Sequence, residues 1–171
     1  MKYVAVFFFA SIAIGWATPA AKVLVIHNAN SLIDEINHAT DLTVDSSDQT
    51  EKWLGYRTER GGLLRIYRRQ DSVRKIIAEL YHAFGMVRME FYYEHEAPVF
   101  MYMREDYYPM KKDSTLNTNK LVFGHDAHFY VSNRTLVETK KRGKDKYGKV
   151  YTPEETLGKL LLMSDRWVAF R

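Results

Sequence analysis

Apolar and polar residues alternate with a period of two along most of the stretch from Leu64 to Met103. Leu64 and Ile66 alternate with Arg65 and Tyr67. Ile76, Ala78 and Leu80 alternate with Lys75, Glu79 and Tyr81. Val87, Met89, Phe91 and Tyr93 alternate with Arg88, Glu90 and Tyr92, and Val99, Met101 and Met103 with Phe100, Tyr102 and Arg104. Successive side chains of an extended chain point to opposite sides, so the pattern predicts four strands with one side on a core. Turn signals bound them at Gly61-Gly62, Gln70-Asp71-Ser72, Phe84-Gly85 and Glu94-His95-Glu96. These connections are far shorter than the dozen or so residues a parallel crossover needs, so the strands form an antiparallel meander. Its expected core side gathers Leu64, Ile66, Ile76, Ala78, Leu80, Val87, Met89, Phe91, Val99 and Met101.

The flanks read differently. Residues 22–26 are an apolar run that fits a first strand or a helix start, and Asn30 or Ser31 then caps a short helix over 31–39. Residues 40–52 are a polar connection with a brief strand at 41–45, and strand pattern is expected from Trp53 onward. Residues 105–120 form a looser insertion. Strand pattern returns at Ala127–Val131 and Thr135–Thr139, around a turn at Ser132-Asn133-Arg134, and a charged stretch, 138–149, follows. Thr152-Pro153-Glu154-Glu155 combines a cap, a proline at the first helical position and a capping-box glutamate. The helix it opens carries Leu157, Leu160 and Leu161 on one side. The expected fold is α+β: an antiparallel β-meander sheet with an N-terminal helix and a C-terminal helix packed on one face.

Composition adds a targeting segment. Lys2, an apolar run from Tyr3 to Ile14 and the small residues around Gly15, Ala17 and Ala20 have the three parts of a signal peptide. The apolar run is shorter than the ~20 residues that span a bilayer. Residues 1–20 are therefore read as a signal peptide, cleaved after Ala17 or Ala20, and residues 21–171 as a single domain that is secreted or periplasmic and has no stable membrane anchor. The chain has no cysteine, which excludes disulfides, thiolate metal sites and a cysteine nucleophile. Its formal charge is +4, one unit of it from Lys2, far from the dense basic footprint of a nucleic-acid binder. Aromatic residues make up 14%, and their preference for half-buried strand surfaces agrees with a β-rich domain.

Gly61-Gly62-Leu63, Lys75-Ile76-Ile77, Phe91-Tyr92-Tyr93, Val99-Phe100-Met101, Tyr107-Tyr108, Phe129-Tyr130 and the helix from Pro153 follow one another in an order that resembles a group of small exported bacterial proteins of unassigned function. The resemblance spans most of residues 40–163 and implies export and an aromatic-rich β-meander with a C-terminal helix. The group's hairpin turns usually read Asn-Gly, whereas this chain has His95-Glu96 and Asn133-Arg134.

Candidate chemistry is sparse. Arg65, Tyr67, Arg88, Tyr92, Tyr102 and Arg104, with Arg69, Lys75, Glu79, Tyr81 and Glu90, fall on the polar side of the meander, and tyrosine and arginine are enriched at binding hot spots. The same pairs also stabilise an ordinary solvated sheet. His125 and His128 are the best metal-like pair, although three positions apart on a strand they point to opposite sides. Glu94-His95-Glu96 reads as an exposed turn, Glu105-Asp106-Tyr107-Tyr108 as a solvated loop, Lys140 to Lys146 as a basic hairpin or linker, and Asn133-Arg134-Thr135 as a glycosylation sequon by pattern. No nucleophile triad or phosphate loop is present, no catalytic residue is assigned and no cofactor is implied. The leading expectation is a binding or interaction module of the cell envelope whose partner is an envelope protein or a glycan, not nucleic acid. A metal-dependent or acid/base hydrolase using His125 and His128, and a structural envelope subunit, stand as alternatives.

Overall fold

The computed structural model describes residues 18–144 and 152–170. Helix α1 (Pro19–His38) is followed by β1 (Thr43–Ser47), a short helix α2 (Thr50–Leu54) and six further strands. These are β2 (Gly62–Arg69), β3 (Ser72–His82), β4 (Gly85–Glu94), β5 (Ala97–Tyr107), β6 (Val122–Ser132) and β7 (Thr135–Gly143), and helix α3 (Pro153–Val168) comes last. The strands form one open antiparallel sheet in chain order, β1 to β7. The expected α+β class and meander are therefore present, extended by β1 on one edge and by the β6–β7 hairpin on the other. No helix among the described residues is long and apolar enough to cross a membrane.

One face of the sheet carries the main core. Leu64, Ile66, Ile76, Ala78, Leu80, Met89, Phe91, Tyr93, Met101, Ala127, Phe129 and Val131 meet Trp53 and Leu54 of α2 and Leu157, Leu160 and Trp167 of α3. In α3 the buried positions Leu157, Leu160, Ser164 and Trp167 recur every three or four residues, the spacing of one helix side. The helix starts with the full capping box between Thr152 and Glu155. Trp167 is wholly buried; its ring meets Trp53 edge-on at 5.7 Å and Phe91 at 5.4 Å, and its Nε1 donates to the Trp53 carbonyl at 2.9 Å. Tyr93 and Ser164 share a buried hydroxyl hydrogen bond of 2.8 Å.

The N-terminal helix departs from expectation in two ways. It begins at Pro19, capped by Thr18, so the apolar residues 22–26 close its first turn and form its second, and are not a strand. It also lies on the opposite face from α3. Its buried residues Ala29, Leu32 and Ile36 pack on Tyr92, Phe100 and Tyr130, whose strand neighbours Phe91, Met101 and Phe129 point into the main core. The two helices thus sandwich the sheet instead of sharing a side. The physical reason lies in the strands: their second face bears large rings as well as charges, and these need a cover. The expected signal peptide lies outside the described residues except for residues 18–20, which open α1.

Other elements are shifted. Trp53 closes α2 and does not begin a strand; Gly55 follows in a left-handed conformation that stops the helix. β5 runs through Glu105 and Asp106 to Tyr107, so these are strand residues and the loop starts later than expected. β6 and β7 are also longer than their apolar cores suggested, and β7 includes Lys140, Lys141 and Arg142. Val99, expected in the core, packs with the α1 cluster because the register shifts at Tyr92/Tyr93, where Tyr93 pairs with Pro98 and Val99 is the extra residue of a bulge. The two-residue turns His95-Glu96 and Asn133-Arg134 have positive φ at both positions, the geometry of the hairpin turn that Asn-Gly usually fills.

Candidate functional site

The register brings the polar side of the meander into cross-strand rows. The first holds Tyr67, Lys75, Tyr92, Phe100 and Tyr130; the second Arg65, Ile77, Glu90, Tyr102, His128 and Lys140; the third Glu79, Arg88, Arg104, Asp126 and Arg142. All six residues expected to form a binding surface therefore share one face. Helix α1 covers the first row. Asn37 accepts from Lys75 Nζ at 2.7 Å and from the Tyr92 hydroxyl at 3.1 Å, and Asn30 accepts from the Tyr130 hydroxyl at 3.2 Å. Tyr92 is buried beneath the helix and is not a surface residue. The Lys75 ammonium sits over the Tyr92 ring at 4.8 Å and near the Tyr67 ring at 5.8 Å. Burial holds this ammonium below the usual lysine range, with Glu90 partly offsetting it.

The second and third rows remain open, and their charges are paired in one orientation. Arg88 donates through Nε to Glu90 and through Nη1 to Glu79, both at 2.8 Å. Arg65 lies 3.5 Å from Glu79. Arg104 donates through Nε to both oxygens of Asp106, at 3.0 and 2.8 Å, and this pairing raises its already high pKa. Arg142 donates to Asp126 at 2.6 Å. The carboxylates lie deep and the guanidiniums outside: Glu79, Glu90 and Asp106 side chains are 12%, 14% and 6% exposed, against 32%, 33% and 39% for Arg65, Arg88 and Arg104. The long arginine stems lie along the sheet and carry their heads to water, while the shorter acids stay near the backbone. Burial pushes the Glu90 carboxyl up, but Lys75 and Arg88 outweigh it and hold it below its usual range. Each pair is neutral, yet the surface that a ligand meets is cationic.

Aromatic rings border this surface. Phe123 is flanked by the Arg104 and Arg142 guanidiniums at 5.4 and 4.8 Å. His128 packs edge-on against Tyr102 at 5.1 Å and Phe100 at 5.7 Å, and burial holds its imidazole below the usual histidine range. His125 projects from the other face of β6, where its Nδ1 is 3.7 Å from the Glu105 carboxylate that accepts from the Tyr107 hydroxyl at 2.7 Å. The structure does not bring His125 and His128 together, because they differ by an odd number of positions with no bulge between them. Among the described residues no group of three or more histidine or acidic side chains is placed to hold a metal ion.

Two hollows were not expected from sequence. One, of about 730 Å³, lies by the β1–β2 edge between Asp45, Ser47, Leu64, Ile66, Arg68 and Phe170. On the β1 side it is lined only by small polar residues, and Arg68 pairs with Asp45 across this edge at 3.2 Å. The other, of about 530 Å³, is lined by Tyr107, Tyr108, Val122, Phe123 and Lys144. Gly124 is needed in its wall, since a Cβ would collide with the Tyr107 ring. Glu94-His95-Glu96 is an exposed hairpin tip, as expected, and Asn133 of the sequon is exposed at another. The basic run begins within β7; its residues from 145 onward lie outside the described residues.

Compared with protein-family models, curated proteins and solved structures, the chain matches none.

Proposed function

We propose that the chain is an exported binding module that holds a component of the cell envelope, a protein or a glycan, on the part of the sheet that α1 leaves uncovered. The observation that carries this reading is the orientation of the ion pairs on the second and third rows, acids beneath and arginines outside, next to the half-exposed ring of Tyr102. Side-chain length sets this orientation, and the acids beneath hold the arginine heads at fixed points facing solvent. Arginine and tyrosine held in fixed positions lose little freedom on binding, which favours their use as anchors. The signal-like residues 1–20 and the resemblance to small exported bacterial proteins support the envelope setting.

The reading is tested by affinity capture from envelope extract with the native protein and a variant carrying Arg65→Gln, Arg88→Gln and Tyr102→Leu. The variant is expected to lose the partners that the native protein retains, while a Lys111→Gln control on the distant loop keeps them. Equal recovery by the folded variant and the native protein would overturn the proposal.

A further inference from the structure

The hollow where β5 ends and β6 begins is preformed, apolar within and cationic at its mouth. The two strands lose register at Glu105/Asp106: His125 pairs with Glu105 and Phe123 with Asp106, so Gly124 is the extra residue of a bulge. The Tyr107 ring lies over Gly124, where a Cβ would otherwise be, and its hydroxyl donates to Glu105 at 2.7 Å. Tyr108 donates its backbone N–H to the Phe84 carbonyl at 2.9 Å, and the Arg60 guanidinium sits 5.2 Å from its ring. Both tyrosines are buried. With Pro109, Val122, Phe123 and Lys144 they enclose about 530 Å³, within the size range of small-molecule sites. Leu121, Val122 and Phe123 are exposed in succession beside it, and contiguous exposed apolar surface accompanies ligand grooves. The Phe123 ring lies between two guanidiniums, Arg104 at 5.4 Å and Arg142 at 4.8 Å. Their acids, Asp106 and Asp126, are buried, whereas the Arg142 side chain is 70% exposed. Lys144 adds a third cation, with which no carboxylate among the described residues pairs.

We propose that this hollow binds a single-chain anionic amphiphile, a fatty-acid carboxylate, with its tail between Tyr107, Tyr108 and Val122 and its head at the Phe123 mouth beside Arg142, Arg104 and Lys144. The site is separate from the open rows of the sheet, since Arg65, Arg88 and Tyr102 take no part in its lining. An alkyl chain leaving water for the tyrosine rings supplies the affinity. The carboxylate then meets cations whose own acids lie beneath, and charge-assisted contacts of this kind fix its orientation. A purely apolar ligand would leave the cationic mouth unused, and a small hydrophilic anion would leave the rings wet. A molecule with both parts answers both features. The bonds of Tyr107 and Tyr108 set the walls before the ligand arrives, so little ordering accompanies binding.

The test is calorimetric titration of the native protein with hexanoate, octanoate and decanoate, each kept monomeric, and with decylamine as the chain of opposite charge. Affinity is expected to rise about fourfold per added methylene, and decylamine to bind at least about tenfold more weakly than decanoate. In the amide NMR spectrum, shifts on adding decanoate should centre on Tyr107, Tyr108, Val122, Phe123 and Gly124. Val122→Asp places a carboxylate on the wall at the exposed first position of β6; it should reverse the order, so that decylamine binds more tightly than decanoate. Lys144→Gln should weaken decanoate about threefold, while Leu162→Gln, exposed on α3, binds as native. The Arg65/Arg88/Tyr102 variant should also bind decanoate as native, so loss of this site and loss of the sheet surface are told apart. No decanoate binding, equal affinity for decylamine, or native affinity for decanoate in Val122→Asp or Lys144→Gln would overturn the site. So would binding to phosphatidylglycerol vesicles without binding of the monomeric acid, which would make the patch a membrane contact. Nuclear Overhauser contacts from residues 145–151 into the hollow of the free protein would make that stretch its occupant and overturn it likewise.

Discussion

Strand β4 shows two environments on alternate residues. Met89, Phe91 and Tyr93 point into an apolar layer closed by α2 and α3, where the Tyr93 and Ser164 hydroxyls bond each other and the buried Trp53 Nε1 finds no partner. Arg88, Glu90 and Tyr92 point the other way into a lattice of charges joined by directional bonds and only partly roofed by α1. The first environment stabilises through area and close packing, which depend little on pH or salt. The second has little net stabilisation to offer, since exposed ion pairs are weak and buried acids are costly to desolvate. Its value is positional: it fixes cationic heads at set points on an open surface. One ribbon of chain thereby combines a foundation with a display.

That contrast predicts effects of unequal size and character. Trp167→Ala should be the most damaging change, at about 3–5 kcal/mol, because it empties a fully enclosed volume against Trp53 and Phe91 and removes the hydrogen bond to the Trp53 carbonyl. Urea denaturation would measure it, and the loss should be the same at low and high salt. Glu90→Gln should cost about 2 kcal/mol at neutral pH, since the carboxylate accepts from Arg88 and Tyr92 and lies near Lys75. The Glu90 carboxyl titrates below its ordinary value of 4.5 in the fold, so its contribution is complete above that value and disappears as pH falls through the lower folded one. The gap between native and variant urea midpoints should therefore narrow progressively as pH falls below 4.5; a gap that stays constant into acid would dissolve the distinction between the two faces. The smallest effect belongs to His128, whose neutral form is favoured by burial. Its folded pKa lies below 6.5, so the fold is at full strength above that value and weakens as pH drops through it. His128→Gln should flatten the melting-temperature slope between about pH 8 and pH 5.

The meander was legible because its signal repeats. Each strand from Leu64 to Met103 places apolar residues two apart, and the register keeps nearly all of them on one side. Val99 was misplaced for the same reason: a two-residue rhythm cannot mark where a bulge inserts one extra position. The sequence pattern shortens helix α1 because its second turn, Val23 to Ile26, is apolar all round, a pattern shared by strands and helices. Its choice of face depends on the second row of rings, Tyr92, Phe100 and Tyr130, which from sequence alone count as outward-facing. The candidate surface was half visible. Arg88-Met89-Glu90 places an arginine and an acid two residues apart, hence on one side of a strand, whereas the loop expected at Glu105-Asp106 hid the pair of Asp106 with Arg104. Which partner lies inside, and that Arg88 faces Arg104, required the register and the depth of each side chain.

The β6–β7 tip carries a consequence for how this chain can change over generations. A two-residue hairpin turn with positive φ is normally open to glycine, and drift toward it should be easy. Here Arg134 occupies the second position and also grips both oxygens of Asp165 on α3, at 2.9 and 2.7 Å. Glycine there would relieve the backbone but forfeit this exposed pair, so gain and loss offset and the arginine can persist at a tip that would otherwise drift.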